Sequence, residues 1–139
     1  MYGDDFFIAQ VLLIKGDSFY GQKKYDNANA QYTSALKYLV DEDELIQRQL
    51  GETYKKLAQS YKRLKNREQT AHFYTKALEI YTSLGDLKLM ARTLNTLAEA
   101  HRYLDNLVLA LDYSTRALEI HKDIDDPVGF AKALLGAGI

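Results

Sequence analysis

MARTLNTLAEAHRYLDNLVLALDYSTRALEIH, residues 90–121, carries the spacing that decides the fold. Met90, Leu94, Leu97, Ala98, His101 and Leu104 follow one another at steps of three and four, which lines them along one stripe of an α-helix. After Tyr103-Leu104-Asp105-Asn106, a short polar break of the kind that joins antiparallel helices, Val108, Ala110, Leu111, Ala117, Leu118 and Ile120 form a second stripe. The segment reads as a helical hairpin.

The same hairpin recurs toward the N-terminus. Forty residues earlier, Leu50, Tyr54, Leu57, Ala58, Tyr61 and Leu64 repeat the spacing, and KALEIY (Lys76 to Tyr81) stands where RALEIH (Arg116 to His121) ends the later copy. Earlier still, Ile8, Leu12, Gly16 and Phe19 fall in the same slots, followed by Ala28, Tyr32 and Ala35. Self-similarity at a fixed period is the signature of a solenoid, in which each unit buries its apolar face on its neighbours. The expected organisation is a single all-α domain over 1–139. Its repeats cover about 4–42, 43–84 and 85–124, and a partial fourth covers 125–139.

Composition agrees with this reading. In 139 residues, 47% are hydrophobic and one is proline, which suits a folded helical core. A net charge of −1 gives no overall attraction to nucleic acid or to an anionic membrane surface. The chain has no cysteine, so disulfides and thiolate metal sites are excluded. The opening MYGDDFFIAQVLLIKGD has acidic residues where a signal peptide carries basic ones, and no apolar run approaches the ~20 residues that span a bilayer. A cytoplasmic protein is expected.

In order along the chain, helices are expected at about 5–20, 25–40, 44–64 and 68–83, then over the two halves of the 90–121 hairpin, and finally from Pro127. Asp4 and Asp86 are placed to cap the helices they precede, and Gly85 to end the helix before it. The acidic run Asp41-Glu42-Asp43-Glu44 reads as a solvated link whose charge favours the following helix N-terminus. Phe130, Ala131, Leu134, Ala137 and Gly138 match Met90, Ala91, Leu94, Leu97 and Ala98 slot for slot. The chain then stops within a helix, which reads as a fragment of a longer array or a stump that packs on another chain.

The small residue of each first helix, the aromatic three residues on, and the alanine and aromatic slots of the second helix resemble the tetratricopeptide repeat. Those slots hold Gly16, Phe19, Ala28, Tyr32 and Ala35, then Ala58, Tyr61, Tyr74 and Ala77, then Ala98, Ala110 and Ala117. The resemblance implies a right-handed superhelical solenoid of antiparallel hairpins, three repeats plus a truncated terminal helix. The period of 40 to 42 residues exceeds the family's usual 34 and implies longer helices. Such repeats resemble those of kinesin light chains, of polarity scaffolds and of bacterial receptors for peptide pheromones, and ALEIYTSLGD and ALEIHKDIDD are most similar to the last.

In this family the first helix of each hairpin lines a concave groove. Carried onto this chain, the resemblance assigns peptide contact to Lys55, Gln59 and Lys62, to Arg92, Asn95, Glu99 and Arg102, and to Lys132, with Gln10, Asp17 and Tyr20 on the first helix. Five cations against Glu99 make the rows from Lys55 to Lys132 locally basic, suited to carboxylates, while Gln59 and Asn95 can hold peptide backbone. Chaperone-binding members use a carboxylate clamp whose lysines match Lys55 and Lys132, but Gln59, Thr96 and Gly136 replace its other members. The clamp is therefore set aside.

His72, His101 and His121 lie in different helices without paired ligand spacing, and no phosphate loop or nucleophile elbow is present. No catalytic residue, metal or cofactor is assigned. The expected function is a non-enzymatic module that displays a groove to a peptide or protein segment, acidic by preference, with no nucleic acid and no membrane as partner. The rival reading is a scaffold that forms homo-oligomers through the apolar C-terminal face of Phe130, Leu134, Leu135 and Ile139.

Overall fold

The computed structural model describes residues 3–136. Among them are seven helices and no strand: α1 (Asp4–Gly21), α2 (Tyr25–Leu36), α3 (Glu44–Arg63), α4 (Arg67–Leu84), α5 (Leu87–Tyr103), α6 (Leu107–Asp123) and α7 (Pro127–Gly136). The chain divides within α4 into two compact units, Met1–Phe73 and Tyr74–Ile139.

One device ends five of the helices. Lys23, Lys65, Gly85, Asp105 and Asp125 adopt positive φ, and the last four stand at twenty-residue steps. Around each, an amide reaches back five residues to a carbonyl: Lys24 to Phe19 (2.9 Å), Asn66 to Tyr61 (3.0 Å), Asp86 to Tyr81 (3.1 Å), Asn106 to His101 (2.8 Å) and Asp126 to His121 (2.9 Å). This closure satisfies carbonyls that the helix end would leave unpaired and turns the chain back on itself within three residues. Only one of the five turns uses glycine.

In the first unit α1 packs on α2, α2 on α3, and α1 on α3. Gly16 lets Tyr32 lie flat against α1, where any Cβ would collide with the ring. Tyr32 is buried with Leu13, Ala28, Ala35 and Leu57, and Tyr54 and Tyr61 both stack on Phe73, at 6.1 and 5.6 Å between ring centres. A side chain as enclosed as Leu57 contributes about 2–5 kcal/mol relative to alanine.

In the second unit α5 packs on α6, α6 on α7, and α5 on α7. Leu94 and Leu97 are fully enclosed, together with Ala91 and Ala98. The facing stripe of α6 is Ala110, Ser114, Ala117 and His121. Gly129 and Ala133 continue it on α7. These small residues set a close approach that larger ones would prevent. The expected buried positions Leu57, Ala58, Ala77, Leu97, Ala98 and Ala117 are all buried.

Four expectations change. On α1 the buried stripe is Ala9, Leu13 and Gly16, while Ile8 is exposed. On α6, Val108 (81% exposed) and Leu111 (51%) face outward, because the stripe through Ala110 and Ser114 places them on the opposite side. Helix α2 ends at Leu36 rather than near 40: the amides of Lys37, Tyr38 and Leu39 bond three residues back, tightening the chain so that Leu39 enters a cluster with Ala9 and Ile46. Asp4 lies inside α1, whose N-cap is Gly3. Asp86 does cap α5, accepting from the Leu89 amide at 3.2 Å, and Asp43 caps α3 by accepting from Leu45 at 2.9 Å.

The turns give a test with opposite signs. A non-glycine residue in the left-handed region costs about 1–2 kcal/mol, while glycine's extra unfolded-state freedom costs about 0.5–1 kcal/mol. Lys65→Gly is expected to stabilise by up to about 1 kcal/mol, and Gly85→Ala, at a site with open space around it, to destabilise by a similar amount. Urea denaturation checks both; equal signs for the two variants would contradict the turn geometry.

Candidate functional site

The second unit holds a cleft of about 450 Å³ between α5 and the start of α7, lined by Lys88, Arg92, Asn95, His121, Asp126 and Lys132 among others. Three of the expected contact residues, Arg92, Asn95 and Lys132, meet there. Arg92 and Lys132 are exposed, whereas Asn95 is half-buried. Their spacing explains the meeting: Lys88, Arg92 and Asn95 are successive steps of four and three on α5, so they form one row. Lys132 stands across from them on α7.

The floor is a polar chain built by the turn after α6. Closure of that turn, with Asp125 left-handed and the Asp126 amide on the His121 carbonyl, brings the Asp126 carboxylate beside the ring of His121. His121 is 1% exposed. Its Nδ1 lies 3.1 Å from Asp126 Oδ2, and its Nε2 lies 3.0 Å from Asn95 Nδ2. Asp126 Oδ1 accepts from the Gly129 amide at 3.0 Å, closing the first turn of α7. Gly129 is required here, since a Cβ would strike the His121 ring. The Gly129 amide, with His121 and Lys88 nearby, holds the Asp126 carboxyl below its ordinary value, outweighing the opposing effect of burial.

An ionised carboxylate only accepts, so His121 Nδ1 carries the proton toward Asp126. In the neutral ring Nε2 is then bare and accepts from Asn95 Nδ2. That arrangement leaves Asn95 Oδ1 buried without a hydrogen-bond partner among the described residues. The cleft therefore offers three cations at its rim, Lys88, Arg92 and Lys132, with the Asn95–His121–Asp126 chain beneath them. Asp125 and Asp126 also line it, but Asp126 is engaged by Gly129 and His121.

The remaining expected residues lie elsewhere. Glu99 is half-buried and Arg102 exposed on α5, outside the cleft lining. In the first unit α3 carries Lys55, Gln59 and Lys62. Lys55 and Gln59 are half-buried and Lys62 is exposed, with Lys55 3.9 Å from Glu52. On α1, Asp17 is taken up by the protein itself: its carboxylate accepts from the Tyr32 hydroxyl at 2.6 Å and from Lys56 Nζ at 2.8 Å. Burial, then the bond to Asp17, pushes the Tyr32 hydroxyl far above the ordinary tyrosine range. Tyr20 packs edge-on against Tyr25, and Gln10 has a buried Nε2 without a partner among the described residues. On α7, Phe130 and Leu134 are half-buried, Leu135 is 73% exposed, and Ile139 lies outside the described residues.

Sequence reasoning missed Lys88, His121 and Asp126. The signal was present as a five-residue step across the turn, His121 to Asp126, parallel to Tyr81 to Asp86 and His101 to Asn106. His101 does sit in an aromatic slot, stacked on Tyr113 at 5.4 Å; burial lowers its pKa, and its Nδ1 has no hydrogen-bond partner among the described residues. His72 is exposed beside Phe73.

Comparison with known proteins agrees with this architecture. The N-terminal domain of stress-induced protein-1 (STI-1) from C. elegans superposes with a TM-score of 0.76 at 21% identity, covering 97% of this chain and 98% of that one. The apo form of RapI gives 0.84 at 19% identity over 97% of this chain and 37% of its own. Aspartyl phosphate phosphatase F from Bacillus subtilis gives 0.72 at 19% identity over 89% and 32%. This chain thus spans about a third of the last two proteins. No curated protein matches the sequence. At these identities the structural likeness speaks for the fold alone, but the family model for the tetratricopeptide repeat matches residues 49–123, more than half of the chain. The chain belongs to the tetratricopeptide repeat family.

Proposed function

We propose that the chain is a non-enzymatic binding module whose second unit takes an acidic peptide or protein segment in the cleft between α5 and α7. The observation that carries the reading is the cleft itself, where Lys88, Arg92 and Lys132 surround the Asn95 amide. A carboxylate can reach the cations at the rim, where charge-assisted hydrogen bonds are the strong ones. The mechanism is display: the packed helices hold the polar side chains in register before binding, so the partner's backbone is what is ordered. On the first unit, α3 carries two cations and an amide of its own, Lys55, Lys62 and Gln59.

Each contact of this kind contributes about 0.5–1.5 kcal/mol net, and more where a charge is partly desolvated. Arg92→Glu is therefore expected to weaken an acidic peptide by about tenfold or more, and raised salt to mimic the change by screening. Asn95→Ala should lose affinity that is largely independent of salt, because it removes the partner of His121 Nε2 beneath the cleft without changing charge. Calorimetry with a panel of acidic and neutral peptides at low and high salt reads both effects. Affinities unmoved by Arg92→Glu would remove the cleft from the binding site.

A second reading is favoured by one observation on α7, where Leu135 (73%) and Val128 (66%) are exposed. Apolar side chains presented in this way mark a contact surface. We propose self-association through this helix as the alternative role, in which the repeats act as a scaffold. Sedimentation is expected to show a concentration-dependent dimer that Leu135→Glu abolishes; a monomer at all concentrations, with or without the substitution, would contradict it.

A further inference from the structure

The first unit carries a separation of charge that the near-neutral total conceals. Ser60 Oγ donates to the Tyr25 carbonyl at 3.2 Å and Arg63 Nε to the Tyr20 hydroxyl at 3.4 Å, so the end of α3 lies beside the turn between α1 and α2. That end gathers Lys23 and Lys24 from the turn, Lys62 and Arg63 from α3, Lys65 from the turn after it and Arg67 from the start of α4, all exposed. Asp26 and Glu68 are the acidic residues among them. At the opposite end Ala9, Leu39 and Ile46 pack together, which joins the start of α1, the chain after α2 and the start of α3. Gathered there are Asp4, Asp5, Asp41, Glu42, Asp43 and Glu44, also all exposed, with Lys37 and Arg48 as the neighbouring cations. Helix α1 has 18 residues, so the two ends stand about 27 Å apart. That exceeds the screening length of about 8 Å at physiological salt, and neither end cancels the other.

Helix dipoles account for part of this pattern. Asp4, Asp5 and Glu44 stand in the first turns of α1 and α3, and Lys62 and Arg63 in the last turn of α3, where each charge is favoured. Lys23, Lys24, Lys65 and Arg67 are placed the other way. Lys24 is the N-cap of α2 and Arg67 the first residue of α4, so these cations crowd the positive ends of two helices, which costs the fold stability rather than adding to it. Both ends also expose apolar side chains between the charges. Leu64 (38%) stands between Arg63 and Lys65, while Val40 (74%) and Leu45 (39%) flank the acidic run. Apolar residues ringed by charge are the make-up of a protein contact.

We propose that the basic end of the first unit docks on the acidic end of the first unit in a second copy of this chain. The two ends are built by the same three helices, α1, α2 and α3, so a copy shifted along the helix axes presents an end of matching outline and opposite charge. One exposed ion pair contributes little, so the contact depends on several forming together around Leu64, Val40 and Leu45. A shift of this kind does not close on itself, and copies add in a row rather than stopping at two. The contact uses neither the cleft nor α7 and is independent of both readings above.

The test uses the full chain carrying Leu135→Glu, which takes the α7 face out of the comparison. Sedimentation is expected to show assemblies that grow with concentration at low salt and an affinity weaker by about tenfold or more at high salt. Two charge-reversed forms of this parent separate the ends. Lys23→Glu, Lys24→Glu and Lys65→Glu together turn the basic end acidic, and Asp4→Lys, Asp5→Lys and Glu42→Lys together turn the acidic end basic. Asp41 and Asp43, whose carboxylates accept from backbone amides, are left in place. Each form alone is expected to stay monomeric, because its two ends carry the same sign. An equimolar mixture is expected to associate, which also shows that both forms are folded. A parent that is monomeric at low salt would overturn the proposal, even if its basic end bound polyglutamate, and so would a mixture no more associated than its separate components. Association of the acid-ended form by itself would place the contact at the cleft cations and overturn it equally.

Discussion

The closure of each helix end on a carbonyl five residues back is the constraint from which the rest of the structure follows. It reverses the chain within three residues, which lays α2 on α1, α6 on α5 and α7 on α6, and at twenty-residue steps it sets the lengths of α4, α5 and α6. Because the turn brings the residue five places after the acceptor close to that acceptor, it also decides which side chains meet. After α6 those are His121 and Asp126, and the floor of the cleft is the result. The link between α2 and α3 shows what happens without the device. There the helix tightens, Leu39 enters the core, and Asp43 caps the next helix.

Small residues complete the frame. Gly16 against Tyr32 in the first unit and Gly129 against His121 in the second are matched cases, each a glycine that lets a buried ring lie flat on a helix. The rings then differ in use. Tyr32 sends its hydroxyl to Asp17, which also receives Lys56, so the polar group is satisfied inside the protein and the charges are tied up. His121 gives its two ring nitrogens to Asp126 and Asn95, and the chain they form lies beneath the exposed cations Lys88, Arg92 and Lys132.

The fold was legible because three-and-four spacing and the repeated KALEIY and RALEIH phrases survive in the sequence. The phase of the stripe was less so. On α1, Phe6, Phe7, Ile8, Val11, Leu12, Leu13 and Ile14 are apolar around the whole circumference, and the contacts with Tyr32, Leu39 and Ile46, distant in sequence, select Ala9, Leu13 and Gly16 as the inner face. On α6 Ala110 and Ala117 belong to the expected stripe and are buried, but the hydroxyl of Ser114 hid its burial behind the more apolar Val108 and Leu111. For the site, Arg92, Asn95 and Lys132 could be found as polar positions off the stripe. His121 could not, since it stands in a core slot held by Tyr81 one repeat earlier, and its role comes from a partner across a turn.

Amide chemical-shift mapping of the labelled chain with an acidic peptide tests the central claim most directly, because it locates contact without presuming which residues make it. The account predicts that the largest shifts cluster at Lys88, Arg92, Asn95, Gly129 and Lys132. Shifts centred instead on the exposed face of α6, around Leu107, Val108 and Leu111, with the cleft undisturbed, would contradict it.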